Sequence, residues 1–228
     1  MNTLLLFDND GTLIQGFSLH KKAYVAGLLK VYDFNGATID RSKLNFHGMT
    51  DQQILSQLLE MGGFTKDKID PLLPQCLKVM GEYYEQNVAS EKIVALRGVP
   101  ELLAELNELG ISIGLVTGNV EKIAYCKLRQ VGLDHYFKSG GFGTDAIIRS
   151  DLVKIAIERF EKIKKCKFDR VFVIGDTPKD IQAGQEAGVK TIGVATGIYT
   201  IKNLMDAGAD YVFADLTDKG RFTMIVTQ

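Results

Sequence analysis

The chain has 228 residues, 46% of them hydrophobic and 24% charged, which is enough apolar material for one large domain or two modest ones. With 27 basic and 28 acidic residues the formal net charge is −1, so the chain lacks the long-range positive field that draws a protein onto nucleic acid or an anionic membrane. Cys76, Cys126 and Cys166 are too sparse for a disulfide framework, the short apolar start has no basic flank, and no run approaches the ~20 apolar residues of a spanning helix; a soluble, cytoplasmic protein is expected.

Residues 4–7 form an unbroken apolar run that stops at Asp8 and passes into the turn-prone Asn9-Asp10-Gly11. Such a short run suits a strand buried on both faces, as in a parallel sheet. The segment 16–92 that follows shows no strand pattern. It carries helical periodicity at 19–32 and at 51–60, and a third helix is expected to open at Asp70-Pro71, with Leu73, Leu77, Met80 and Tyr84 along one stripe. Beyond it, apolar runs at 111–116, 171–174 and 191–195, with an edge strand at 211–214, alternate with helices predicted at 100–109, 120–131, 151–164 and 178–187. Strand alternating with helix indicates a Rossmann-like parallel α/β sheet in three layers, α/β/α. The expected organisation is a core of residues 1–15 and 93–228 interrupted by a small helical domain at 16–92, the chain leaving the core near 14–17 and returning near 93–98.

Sites on open parallel sheets form at the carboxyl ends of the strands. Three of the runs end in groups with chemical use, namely Asp8, Thr117 and Asp176, so the sheet would gather them along one edge although Asp8 lies over a hundred residues from either of the others. Asp10 is two residues beyond Asp8, and Asp180 falls in the first turn of the helix opened by Pro178. An isolated Asp-x-Asp pair is as readily a turn or a helix cap. Together with Asp176 and Asp180 it becomes a cluster of four acids, which suits a hard divalent cation with oxygen ligands, magnesium being the usual one beside phosphate.

FDNDGTL at 7–13, VTGN at 116–119 and GDTPKD at 175–180 resemble the first, second and fourth motifs of the haloacid dehalogenase superfamily, and the helical insertion is similar to its cap. The resemblance, which covers the whole chain, implies a magnesium-dependent phosphatase acting on a small phosphorylated metabolite. It implies that Asp8 attacks phosphorus and that Asp10 protonates the leaving oxygen and then activates water. It further implies that Asp8 and Asp176 ligate magnesium through carboxylates and Asp10 through its carbonyl, with Asp180 standing behind them. Thr117, Gly118 and Asn119 would bind the phosphoryl group, although Thr117 also reads as a cap for the helix after it. The sequence departs from the family at the third motif: no Lys-Pro pair precedes 151–164, and Arg149 takes the cationic role, Lys154 being the other candidate.

The insertion is expected to set specificity through His20, Lys21, His47 and Gly48, while Thr50 or Asp51 reads as a helix cap. Within the superfamily a phosphomutase, a pyrophosphatase and a dehalogenase are the alternatives; outside catalysis, an aspartate phospho-acceptor signalling domain is another. Neither the physiological substrate nor the oligomeric state is legible in the residues.

Overall fold

The computed structural model describes residues 2–16, 18–36, 39 and 46–228. Phe17, within the expected exit from the core, lies outside them. The chain begins with β1 (Thr3–Phe7) and, after a tight turn, β2 (Ile14–Gln15). Helices follow: α1 (Ser18–Tyr32), α2 (Asp51–Met61), the single turn α3 (Lys66–Ile69) and α4 (Leu73–Asn87). The third helix therefore does not open at Asp70-Pro71. Asp70 closes α3, and α4 starts at Leu73 with Pro74 in its first turn, where a missing N–H costs nothing. β3 (Val94–Ala95) then returns antiparallel to β2, so the outgoing and incoming chains are zipped together.

From there helix and strand alternate: α5 (Val99–Glu108), β4 (Ser112–Thr117), α6 (Glu121–Gln130), β5 (Gly140–Phe142), α7 (Arg149–Lys164) and β6 (Arg170–Gly175). The chain ends with α8 (Pro178–Glu186), β7 (Lys190–Val194), α9 (Ile201–Asp206), β8 (Tyr211–Phe213) and α10 (Lys219–Thr227). Six strands make a parallel sheet ordered β5-β4-β1-β6-β7-β8. The chain winds outward from β1 through β4 to β5, then returns to the other side of β1 for β6. The crevice at that reversal falls at the ends of β4, β1 and β6, the three strands that carry the acids and Thr117.

β1 is buried on both faces because every residue in it is apolar apart from Thr3. Leu5 and Phe7 pack with α5, α6 and α10 through Leu103, Leu128 and Phe222. Leu4 and Leu6 pack on the opposite face against Leu152, Val153 and Phe160 of α7. Each such side chain contributes about 1.5–3 kcal/mol, and the layers hold β1 in fixed register with both neighbours. A third apolar cluster joins α1, α2 and α4, including the expected stripe Leu73, Leu77, Met80 and Tyr84, to Val120, Ile123 and Cys126 at the start of α6. The insertion thus sits on α6, over the carboxyl edge of the sheet. Among the described residues no helix is long and apolar enough to cross a membrane.

Candidate active site

The register of the three central strands places the acids. Phe7 pairs with Ile174, and the Asp8 N–H donates to the Ile174 carbonyl at 2.8 Å, so Asp8 is held one step past the last apolar residue. The turn that follows closes by Leu13 and Ile14 N–H groups donating to the Asn9 carbonyl. Gly11 lies in this turn with φ +88°, and a Cβ there would collide with the Asp176 carboxylate. The loop can therefore lie over Asp176, whose Oδ1 accepts from the Thr12 hydroxyl at 3.3 Å. After β6, Thr177 caps α8 in a reciprocal box with Asp180: the Thr177 hydroxyl accepts from the Asp180 N–H, and Asp180 Oδ2 accepts from the Thr177 N–H at 3.0 Å.

The result is a charge cluster with too little positive charge. Asp8, Asp176 and Asp180 are buried, with carboxylate oxygens within 4.8 Å of one another. A single guanidinium serves them: Arg149, the first residue of α7, ion-pairs with Asp8 at 2.7 Å and with Asp180 at 2.5 Å. Burial, helped by the charges of Asp180 and Asp10, outweighs the opposing guanidinium of Arg149 and pushes Asp8 up to about 7; burial, Asp180 and Asp8 push Asp176 up to about 8. The two acids drive Arg149 upward despite its burial. Such a set of crowded, oxygen-only donors fits a hard divalent cation. Lys154, the other candidate for the cationic role, pairs with Asp151 on the exposed side of α7.

Asp10 turns the other way. Its Oδ2 accepts from Lys127 Nζ at 2.5 Å and from Asn119 Nδ2 at 2.9 Å, while Oδ1 is buried without a hydrogen-bond partner. The side-chain cluster therefore contains three of the four expected acids, and Asp10 has a cation of its own. Lys127 was not singled out from the sequence. Its side chain is wholly buried, and its Nζ also reaches Asn119 Oδ1 at 2.7 Å and His20 Nδ1 at 3.1 Å. The available signal was a lysine within the buried positions 123, 124, 126, 127 and 128 of α6.

The helical insertion docks through three consecutive residues. Thr50 caps α2 as expected, and its hydroxyl also donates to the Ile147 carbonyl. The Asp51 N–H donates to the Gly118 carbonyl at 2.8 Å, and Gln52 Nε2 donates to the Gly143 carbonyl at 2.7 Å. The Asp51 carboxylate does cap a helix, but it is α6: Asp51 Oδ2 accepts from the Val120 N–H at 2.7 Å. Val120, not Thr117, is the N-cap position of α6, so the capping reading of Thr117 fails. The Thr117 hydroxyl instead accepts from Asn119 Nδ2 at 2.8 Å. Burial opposes the ionisation of Asp51, but His20, the Tyr24 hydroxyl and the Val120 N–H outweigh it and hold the carboxyl below its ordinary range.

A cavity of about 520 Å³ lies between the sheet edge and the insertion. Asp8, Asp10, Gly118, Asn119, Arg149 and Asp176 line it, as do His20, Lys21, His47 and Gly48 of the insertion, whereas Thr117 and Asp180 are fully buried behind it and Lys154, Thr50 and Asp51 do not line it. His20 contributes a ring whose two nitrogens meet Asp51 and Lys127. Lys21 and His47 are exposed at the rim, His47 edge-on to the Tyr199 ring.

The model of the haloacid dehalogenase-like hydrolase family matches residues 5–194. A pyrophosphatase PpaX of Oceanobacillus iheyensis is 25% identical over 222 residues, covering 94% of this chain and 93% of its own. A phosphoglycolate phosphatase of Vibrio cholerae is 25% identical over 215 residues, with 93% of each chain covered. The crystal structure of a hydrolase from Pseudomonas syringae superposes with a TM-score of 0.71 at 22% identity over 100% of both chains. The match spans β1 to β7 and all three acids of the cluster, and the chain belongs to the haloacid dehalogenase-like hydrolase family.

Proposed function

We propose that the protein is a magnesium-dependent phosphatase that hydrolyses a small phosphorylated metabolite through an aspartyl-phosphate on Asp8. The observation that carries this reading is the buried cluster of Asp8, Asp176 and Asp180 with one guanidinium among them. It is a site short of positive charge, at the floor of a cavity large enough for a metabolite. The names of the relatives, a pyrophosphatase and a phosphoglycolate phosphatase, support phosphoryl transfer. On the same reading residues 1–15 and 93–228 form the catalytic core and 16–92 the cap.

In the first step an Asp8 oxygen attacks phosphorus, the bond from phosphorus to the leaving oxygen breaks, and Asp10 gives that oxygen a proton. In the second step water attacks the phosphorus of the aspartyl-phosphate, Asp10 takes the water proton, and Asp8 leaves as carboxylate, releasing inorganic phosphate. Asp10 Oδ1 is the atom for both transfers, since Oδ2 is bound to Lys127 and Asn119. Arg149 holds Asp8 by one oxygen and balances charge as phosphate approaches. Thr117, Gly118 and Asn119, at the end of β4, hold the phosphoryl oxygens. Asp8 and Asp176 by carboxylate and Asp10 by carbonyl would hold magnesium, which when bound offsets the repulsion between Asp8 and the phosphoryl group. Asp180, engaged by Thr177 and Arg149, keeps those two groups in place.

Hydrolysis of p-nitrophenyl phosphate, with magnesium and with EDTA, tests the reading. Turnover is expected with magnesium alone and is expected to vanish in Asp8→Asn while the protein remains folded. An Asp8→Asn protein with near-normal turnover would overturn it.

A further inference from the structure

The phosphatase reading leaves the other half of the substrate open, and the chemistry of the cavity narrows it. Its floor carries the acids and Arg149, whereas the wall supplied by the insertion presents Tyr24, Phe46, Met49, Ile54 and Leu58 beside His20, Lys21 and His47, with Ile198 on the opposite rim. Among the described residues, cations that could meet a second anionic group are scarce on that wall. Both His20 nitrogens are engaged by Asp51 and Lys127, and Arg149 is held between Asp8 and Asp180. Among the described lining residues, the other cationic or imidazole side chains are Lys21 and His47, both exposed at the rim. An anion buried against aromatic and aliphatic carbon loses its hydration without compensation, while an apolar group there gains from leaving water.

From this wall, and resting on the phosphatase reading, we infer that the substrate is a phosphate monoester whose alcohol carries an apolar aliphatic or aromatic body, rather than a compact dianion such as pyrophosphate or phosphoglycolate. The phosphoryl group meets Asp8, and the carbon body fills the space under α1 and α2.

A series of ethyl, butyl and hexyl phosphates tests this at matched alcohol acidity, so that differences report contact and not leaving-group chemistry. kcat/KM is expected to rise about threefold to fourfold per added methylene over the first few, and hexyl phosphate should outrun pyrophosphate and phosphoglycolate. Ile54→Ser should flatten the series. Ile198→Ser, at a 65% exposed position, does the same with no burden on folding should the Ile54 variant fail to fold. A flat or falling series, or faster hydrolysis of pyrophosphate or phosphoglycolate, overturns the inference and leaves the phosphatase reading standing. No turnover of any of these compounds or of p-nitrophenyl phosphate overturns both.

A separate observation concerns Lys127. A fully buried ammonium bonded to the oxygen of a catalytic acid, to Asn119 and to a histidine of the insertion is a costly arrangement unless it fixes geometry. We propose that Lys127 is a positioning residue: with Asn119 it pins Asp10 Oδ2, so that Oδ1 presents its lone pair or proton to the substrate oxygen, and through His20 it ties that orientation to the seated insertion.

The test is a double-mutant cycle. Lys127→Met is expected to lower kcat about a hundredfold, to leave KM within a few-fold, and to cost nothing further in an Asp10→Asn background. Should Lys127→Met not fold, Lys127→Arg, which keeps the charge and misplaces it, carries the same cycle. Equal losses in both backgrounds, or unimpaired kcat, would show that Lys127 does not act through Asp10.

Discussion

Asp8 and Asp51 are both buried carboxylates within the same molecule, yet their surroundings drive them in opposite directions: Asp8 is pushed up to about 7, and Asp51 is held below its ordinary range. Burial opposes ionisation in both. What differs is the ratio of donors to acids. Asp51 alone receives His20, the Tyr24 hydroxyl and the Val120 N–H. Asp8 shares Arg149 with Asp180 and has Asp176 within the same cluster. A buried acid that serves the fold is fully satisfied, whereas the site acids are left short of positive charge, which is the condition a divalent cation exploits.

The strongest way to sharpen this contrast is to remove the guanidinium that Asp8 and Asp180 share. Arg149→Met should leave the cluster acids without a counter-charge and lower stability by about 3–5 kcal/mol, as breaking a buried pair does. Its turnover of p-nitrophenyl phosphate should fall by about a thousandfold, as for loss of a preorganised charge at phosphorus. Thermal melts and initial rates check both. Arg149→Lys, which keeps charge without the forked geometry, should recover part of the stability and little of the rate.

Adding a cation is the converse experiment, and its effect is smaller. Because Asp8 and Asp176 are shifted upward, the stability they contribute is full below the unfolded carboxylate value of 3.8 and is lost as pH rises through about 7 and about 8. Metal-free protein should therefore melt at a lower temperature at pH 8 than at pH 5. Magnesium would compete with the protons on these acids, so it should raise the melting temperature more at pH 8 than at pH 5; at a hundred times its Kd the stabilisation is about 2.7 kcal/mol. An increment equal at both pH values would detach the cation from Asp8 and Asp176.

The difference between the two kinds of acid also explains what the sequence could and could not reveal. β1, β4 and β6 are legible because each carries a short, mostly apolar run that stops at a chemical group, and parallel-sheet geometry alone brings such ends together. β5 was not, because its Gly140 and Gly141 are there for room: a Cβ would collide with Leu115 and Leu152 backbone. Arg149 was reachable from its place at the start of α7, since a site of acids needs a nearby cation. Lys127 and the second use of Asp51 depend on α1, α2 and α6 meeting in space, and local spacing carries no trace of that. Asp51 does read as a helix cap, but the helix it caps begins 70 residues further on.

Asp51 therefore provides the mildest test and the one with the opposite pH signature. Asparagine keeps the shape and still caps a helix well, so Asp51→Asn should lose only the charge-assisted part of the bonds from His20 and Tyr24, about 1–2 kcal/mol. A downward-shifted acid contributes stability that is present above its unfolded value of 3.8 and is lost as pH falls through its lower folded value. The deficit of Asp51→Asn relative to the parent should be constant from pH 5 to 8 and close below 3.8, where the metal-free site acids contribute most. Denaturant melts across that range decide it: a deficit that grew on acidification would mean that Asp51 is not the satisfied acid its donors make it, and the contrast with Asp8 would collapse.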